Sequence, residues 1–186
     1  MAKTILLTGA TGFLGSHLLE ALIEEGYNVI ILKRSFSNTW RINHLICKVK
    51  TYDIDIKPFR EAFEEQKIDI ILHTATNYGR NQESTSRLID DNVKFGLELL
   101  ETAINFNTDA FINTDTLQDK HLSNYSLSKK QFVEWLKVLS ETKKIKTVNL
   151  RVEHMYGPGD DDKKFVVWLM KQMLTNKDDI NLTAGE

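Results

Sequence analysis

Cysteine is almost missing from this chain. Cys47 is the single one among 186 residues, so no intramolecular disulfide can form, and neither a Cys-x-x-Cys pair nor a Cys/His cluster offers a metal site. Proline is nearly as scarce, with Pro58 and Pro158 alone. No proline-rich linker, low-complexity stretch or internal repeat divides the sequence, which reads as one domain over residues 1–186. Neither sign of charge is in excess: 26 acidic against 24 basic residues leave a formal charge of −2, which argues against nucleic acid or a polybasic membrane contact as partner. Long apolar runs are lacking too. Met-Ala-Lys followed by Thr4–Thr8 is too short for a signal peptide, and nothing approaches a membrane span. The expectation is a protein of the cytoplasm, not bound to a membrane and without a resident metal.

What is present alternates. Runs rich in Ile, Val and Leu are followed by segments whose apolar residues recur every three to four positions, the pattern of βαβ units wound around a parallel sheet on both faces. Strands are expected near 3–8, 28–33, 47–52, 69–73, 109–114 and 146–152, and helices near 13–25, 57–66, 84–107, 124–143 and 163–176. Pro58 opens the second helix, and Pro158 lies in a Tyr-Gly-Pro-Gly turn. In the third helix, Ile89, Val93, Leu97, Leu100 and Ile104 make the core stripe. Leu88, Phe95, Leu99 and Phe106 form a second apolar face that a monomer would leave in water. A homodimer through the helices near 84–107 and 124–143 is therefore expected. Residues 180–186 read as a strand entering a turn.

The first strand runs into Thr8-Gly9-Ala10-Thr11-Gly12-Phe13-Leu14-Gly15, and an amphipathic helix follows. Gly9 permits a tight turn, Gly12 lets backbone N–H groups approach a pyrophosphate, and Gly15 lets the helix pack closely on the sheet. The positive end of the helix dipole faces the same anion. A glycine triplet alone serves packing as readily as binding, but here the strand before it and the helix after it are both present.

The GxxGxxG spacing, in the form TGATGFLG, resembles the extended short-chain dehydrogenases/reductases, the NAD-dependent epimerase/dehydratase family of nucleotide-sugar enzymes. The resemblance covers essentially the whole chain and implies a Rossmann-type doubly wound sheet, with Gly9, Thr11, Gly12, Phe13, Leu14 and Gly15 at the cofactor. It further implies that Asp53-Ile54 holds the adenine, that Ala75 in His73-Thr74-Ala75-Thr76 lines the cofactor, and that Asn92 in Asp91-Asn92-Val93 is the family's asparagine on the fourth helix. Taken singly, Asp53 is a solvated loop acid, His73 a satisfied core histidine and Asn92 a helix-surface amide. Their order along the chain favours the family reading.

NAD-specific folds of this type carry an acid at the end of the second strand, bonded to the ribose hydroxyls. This sequence has Lys33-Arg34-Ser35 there. Two cations and a hydroxyl suit the 2′-phosphate of NADP, which a carboxylate would repel, although a solvated basic loop has the same composition. NADP is the expected cofactor, with NAD possible.

Tyr125-Ser126-Leu127-Ser128-Lys129 has the YxxxK spacing, which on a helix sets Lys129 one turn beyond Tyr125 on the same face. The resemblance implies that Tyr125 passes a proton to or from a sugar hydroxyl, that Lys129 lowers the phenol pKa and holds the nicotinamide ribose, and that Thr114 bonds the same sugar oxygen. In the run Asn113-Thr114-Asp115-Thr116, Thr116 stands where sugar-nucleotide 4,6-dehydratases have a glutamate base, so the group for eliminating water is lacking. Asp115 is open as an acid or as a loop cap. The turn Arg151 to Asp160, with Glu153-His154, resembles that of CDP-sugar 4-ketoreductases of the CDP-abequose synthase type. His154, with no second ligand at metal spacing, is expected to line or support the nucleotide-sugar pocket. Asp160, Asp161 and Asp162 read as a solvated loop leading to a helix.

The resemblance thus implies NADP-dependent reduction of a nucleotide-linked 4-keto-6-deoxyhexose for surface polysaccharide, with the proton from Tyr125. A 4-epimerase uses the same triad. Family members continue past the point where this sequence stops and carry much of the nucleotide-sugar contact there, so a non-catalytic dinucleotide-binding module is the third reading.

Overall fold

In the computed structural model, which describes residues 2–142, 145–162 and 164–175, six strands form one wholly parallel sheet: β1 (Thr4–Thr8), β2 (Asn28–Lys33), β3 (Lys50–Asp53), β4 (Ile70–His73), β5 (Ala110–Thr116) and β6 (Lys146–Val152), in the order β3-β2-β1-β4-β5-β6. This is the doubly wound architecture expected from the alternating pattern. The chain leaves β1 for β2 on one side and reaches β4 on the other. That reversal opens a crevice at the carboxyl ends of β1 and β4.

Because successive strand residues point to opposite faces, neighbouring side chains of one strand enter different cores. Leu6, Ile30, Ile71 and Phe111 pack with Leu99, Leu100, Phe132 and Leu136 on one side, and Leu7, Val29 and Ile31 with Leu19, Ile42 and Leu45 on the other. Helices α1 (Phe13–Glu24), α2 (Glu61–Glu65) and α5 (Asn124–Thr142) lie within the segments expected to be helical. The third strand is shorter than expected, because Ile46–Lys48 winds into a 3-10 turn first. The helix expected from Pro58 begins with single-turn bonds such as Glu61 N–H to the Pro58 carbonyl at 3.1 Å, and regular helix starts only at Glu61.

The helical segment expected at 84–107 differs in a way that matters for the site. α3 (Thr85–Ile89) and α4 (Phe95–Asn105) are joined without a break by one wide π turn, Asp90–Lys94. A π turn inserts one residue and rotates what precedes it by about 100°. Val93 therefore shares its buried face with Leu88, five positions back, and Ile89 turns out to 43% exposure. The expected stripe is corrected accordingly. So is the second apolar face: Leu88 and Leu99 are core residues, Phe95 packs edge-on to Phe59 at 5.8 Å, and Phe106 meets Phe63 at 5.6 Å. The exposed apolar residues of this layer are instead Ile89, Leu127, Trp135 and Val138.

Internal contacts divide the chain into two compact units, Met1–Glu153 and His154–Glu186. The second holds α6 (Phe165–Leu174) and the turn before it, where Lys164 Nζ pairs with Asp160 at 2.8 Å. The strand expected at 180–186 and the outer ends expected for two helices, at 143, 163 and 176, lie outside the described residues. Among those residues no helix is long and apolar enough to cross a membrane.

The register shift is measurable. Leu88→Ala should cost about 2–4 kcal/mol in urea unfolding, as truncations in a close-packed core do, and Ile89→Ala less than about 1 kcal/mol. The reverse order would restore the uninterrupted α-helix.

Candidate active site

The glycine-rich turn is built by backbone packing. Gly9 has φ +71°, and a Cβ there would lie 2.7 Å from the Ala75 nitrogen; a Cβ on Gly15 would lie 2.0 Å from the Gly9 carbonyl oxygen. Both positions exclude any larger residue. Gly12 differs, since a Cβ there meets only the Gly9 oxygen at 3.2 Å and the space beyond is open. As the N-cap of α1 it brings no side-chain cap, so the helix end faces the crevice without a competing oxygen. Thr11, Phe13 and Leu14 border it at intermediate exposure, and the Arg41 guanidinium, stacked 4.4 Å over Trp40, approaches the Thr11 carbonyl at 3.4 Å. An uncapped 12-residue helix with an open glycine at its head fits the pyrophosphate of a dinucleotide.

Thr8 ties this turn to β4. Its Oγ1 accepts from the backbone N–H groups of Thr74 and Ala75, both at 3.2 Å, so its own proton goes to His73 Nδ1 at 2.9 Å. His73 is then the Nε2–H tautomer, and that N–H has no hydrogen-bond acceptor but is surrounded by the rings of Phe95, Phe111 and Phe132, with centroids 5.6–5.9 Å away. Full burial and the nearby Lys129 ammonium push its pKa down to about 3. His73 is a neutral core residue that fixes the loop carrying Ala75.

At the far ends of β2 and β3 the expected cofactor residues meet one another. Lys33 Nζ lies 2.9 Å from Asp53 Oδ2, and Ser35 Oγ donates to the same carboxylate at 2.9 Å; the Lys33 ammonium holds the Asp53 pKa below the usual carboxylate value. Ile54 uses its N–H on the Lys33 carbonyl at 2.9 Å and packs on the core. Arg34 Nη2 pairs with Asp91 Oδ1 at 2.5 Å. Asn92, 1% exposed, is far from a helix-surface amide: its Oδ1 accepts from Asn77 N–H at 2.7 Å and Thr76 Oγ1 at 3.2 Å, while its Nδ2 donates to the Asn77 carbonyl at 2.8 Å and Ser128 Oγ at 2.9 Å. The sequence singled out Asn92 but gave no weight to Asp91 or Asn77.

The β4 loop continues to α5, the helix that carries the YxxxK pair. The Tyr78 ring rests on that of Tyr125, centroids 4.9 Å apart, and the Arg80 guanidinium lies 4.9 Å from the centre of Tyr78. Burial pushes the Tyr125 phenol up to about 12, helped by Tyr78 and Asp115 and opposed by the Thr116 hydroxyl and the Arg80 charge, so the lowering expected from Lys129 does not set its value. Lys129, one turn on in α5, is buried, which brings its ammonium down to about 8 against the supporting charge of Asp115. The Thr114 hydroxyl donates to the His73 carbonyl at 3.1 Å, and Thr116, the last residue of β5, is the threonine whose hydroxyl acts on the Tyr125 phenol. The stacked Tyr78 and Arg80 were not foreseen; a tyrosine and an arginine flanking Gly79 just after the fourth strand are the only signal for them.

Asp115 is a buried acid that caps the chain locally, its Oδ1 accepting the Thr116 N–H at 2.7 Å. Its carboxylate is buried beside Lys130 Nζ at 2.8 Å and Asn149 Nδ2 at 3.2 Å, and Lys130 also reaches the Thr116 carbonyl. In the second unit His154 and Tyr156 are exposed, and the Asp160 side chain is fully buried against Lys164 rather than solvated.

With that geometry in place, the sequence profile of the NAD dependent epimerase/dehydratase family matches residues 5–186. CDP-abequose synthase of Salmonella muenchen is 38% identical over 183 residues, covering 95% of this chain and 61% of that protein; the Salmonella typhimurium enzyme of the same name is 32% identical, covering 100% and 64%. The chain therefore spans a little over three fifths of these relatives' length. Among solved structures, UDP-glucuronic acid 4-epimerase from Bacillus cereus, in complex with NAD, superposes with TM-score 0.80 at 26% identity over 94% of this chain and 63% of that one. UDP-glucose 4-epimerase from Thermotoga maritima, with UDP-glucose, gives 0.81 at 23% identity over 92% and 63%, and shares the fold.

His73 gives this site a pH signature. Its folded pKa near 3 lies below the ordinary value of 6.5, so between those values the unfolded chain binds a proton that the folded chain refuses. Its contribution is complete above pH 6.5 and is lost as pH falls, by up to about 1.4 kcal/mol per unit. Urea melts at pH 7, 6 and 5 should record that loss, and His73→Gln should flatten it over the same window.

Proposed function

Because the chain belongs to the NAD-dependent epimerase/dehydratase family, we propose that it is the cofactor-binding and catalytic part of an NADP-dependent nucleotide-sugar 4-ketoreductase. The observation that carries this reading is the placement of Tyr125 and Lys129 one turn apart on α5, with Lys129 buried and Tyr125 under the Tyr78 ring, where burial favours the neutral phenol. A phenol held near 12 is a proton donor at neutral pH, and a lysine near 8 beside it still carries its charge for most of the time. That is the state needed to reduce a carbonyl.

The open head of α1 at Gly12 suits the pyrophosphate, with Thr11, Phe13 and Leu14 beside it, and Ala75 and Asn92 shape the loop next to the nicotinamide half. When bound, NADPH supplies a hydride to carbon 4. Tyr125 gives its proton to the carbonyl oxygen, turning C=O into CH–OH, and Thr116 keeps the phenol oriented through its hydroxyl. Lys129 holds the ribose and stabilises the phenolate that remains. Thr114, whose proton goes to the His73 carbonyl, can accept from the sugar hydroxyl once the carbonyl has been reduced. The absence of a carboxylate at position 116 supports reduction over elimination of water. The similarity to CDP-abequose synthases suggests a CDP-linked 4-keto-6-deoxyhexose, made for surface polysaccharide in the cytoplasm. Lys33, Arg34 and Ser35 support NADP.

A 4-epimerase employs the same side chains, and the Bacillus cereus structure favours it as a second reading. Stoichiometric oxidation of NADPH by a CDP-4-keto sugar separates the two, since an epimerase consumes none. Binding of NADPH without turnover would favour a dinucleotide-binding module.

Tyr125→Phe should abolish NADPH oxidation and leave the Kd for NADPH within about twofold, because the phenol moves a proton but adds little to cofactor affinity. Thr116→Val should lower turnover by about 10²-fold, the scale of one lost orienting hydrogen bond, and Thr114→Val by less; the opposite order would return the catalytic role to Thr114. We also propose a homodimer through α3 and α5, whose outward face carries Ile89, Leu127 and Trp135. Trp135→Glu should then halve the mass read by light scattering, and a parent chain that is already monomeric would refute the dimer.

A further inference from the structure

The cations on which the choice of NADP rests are already paired. Lys33 faces Asp53, a residue at the end of the neighbouring strand, and Arg34 faces Asp91, which comes from the far side of the β4 loop. Asp91 is held there firmly. Its Oδ1 takes Arg34 Nη2 at 2.5 Å, and its Oδ2 takes Asn77 Nδ2 and Arg87 Nε, each at 2.9 Å. The backbone under it is the π turn, and the next residue, Asn92, clamps the Asn77 peptide on both its N–H and its carbonyl. With its side chain 13% exposed and anchored at three donors, the carboxylate cannot swing away to make room for a ligand.

We propose that Asp91 sets the cofactor selectivity of this site: its carboxylate competes with the 2′-phosphate of NADP for the Arg34 guanidinium, and so holds the preference for NADP over NAD below what Lys33, Arg34 and Ser35 alone would give. This rests on the reading of the Lys33–Ser35 turn as the adenosine ribose site. A phosphate arriving at Arg34 meets a fixed negative charge beside the guanidinium and must share the donor fork with it. The 2′-hydroxyl of NAD is neutral and meets no such opposition. Asp91 touches the reacting atoms nowhere; it acts through Arg34.

Titration calorimetry of the parent chain with NADP+ and NAD+, repeated for Asp91→Asn, tests this directly and needs no turnover. Asparagine keeps the shape and its one oxygen can still accept from Arg34, while its amide nitrogen replaces the oxygen that took Asn77 and Arg87, so the charge goes together with those two bonds. NADP+ should bind about tenfold more tightly, the effect of one partly screened charge, with NAD+ unchanged within about twofold. Arg34→Ala in the same background should erase the gain. Should Asp91→Asn fail to fold, Arg87→Ala reads the same effect with opposite sign: relieved of one cation, Asp91 opposes the phosphate more strongly, and NADP+ should weaken relative to NAD+. Unchanged selectivity in these variants, or a weaker NADP+ in Asp91→Asn, would overturn the inference and make Asp91 an orienting partner of Arg34. If the parent binds neither dinucleotide, the cofactor reading itself fails; if it binds NADP+ without an Asp91 effect, only this inference does.

Discussion

The Thr8 hydroxyl is the point on which the site depends. It stands at the end of β1, where the strand order reverses, and in accepting two backbone N–H groups from the loop after β4 while donating to His73 it holds the two lips of the crevice at a fixed spacing. Two bonds in and one out leave its orientation no freedom. The glycine turn inherits that constraint, because Gly9 abuts the peptide of Thr74 and Ala75 too closely for any side chain, and Gly15 in turn abuts Gly9. The head of α1 is thereby aimed by a chain of backbone contacts rather than by side-chain caps.

A second constraint comes from an irregularity. The π turn brings Asp91 and Asn92 together onto Asn77, and one residue beyond Asn77 the loop delivers Tyr78 onto the Tyr125 ring. An uninterrupted α-helix through residues 85–105 would offer Asn92 or its neighbours at another azimuth, and the loop would lose both its clamps. Helical distortion of this kind is commonly met at functional sites, and here its effect can be named: it fixes what stands over the Tyr125 ring.

Much of this was legible in the residues. Strand positions follow from doubly covered, β-branched runs, which leave little freedom of register in a parallel sheet, and the TGATGFLG turn and YxxxK spacing are local patterns with local geometry. What was not legible is non-local. The periodicity of Val93, Leu97, Leu100 and Ile104 extrapolates to Ile89 because nothing in the sequence announces a wide turn; only the packed rod shows Leu88 inside. Thr114 and Thr116 point to the same face of β5, two positions apart, so sequence order cannot decide which reaches Tyr125. Likewise Lys33 and Arg34 look like free cations until the fold brings Asp53 and Asp91, from β3 and from the π turn, against them.

β6 closes the sheet with an edge, since it pairs only with β5 among the described residues. Along it Val148 and Leu150 stand about half exposed. A strand edge with apolar side chains is a template for an extended segment, and along β6 the cations Lys146 and Arg151 stand one near each end. Those charges repel a second copy of the same edge but not an acidic or neutral strand. The chain's colloidal behaviour should accordingly worsen as ionic strength screens them, an inversion of the usual rule that moderate salt keeps a protein of small net charge in solution.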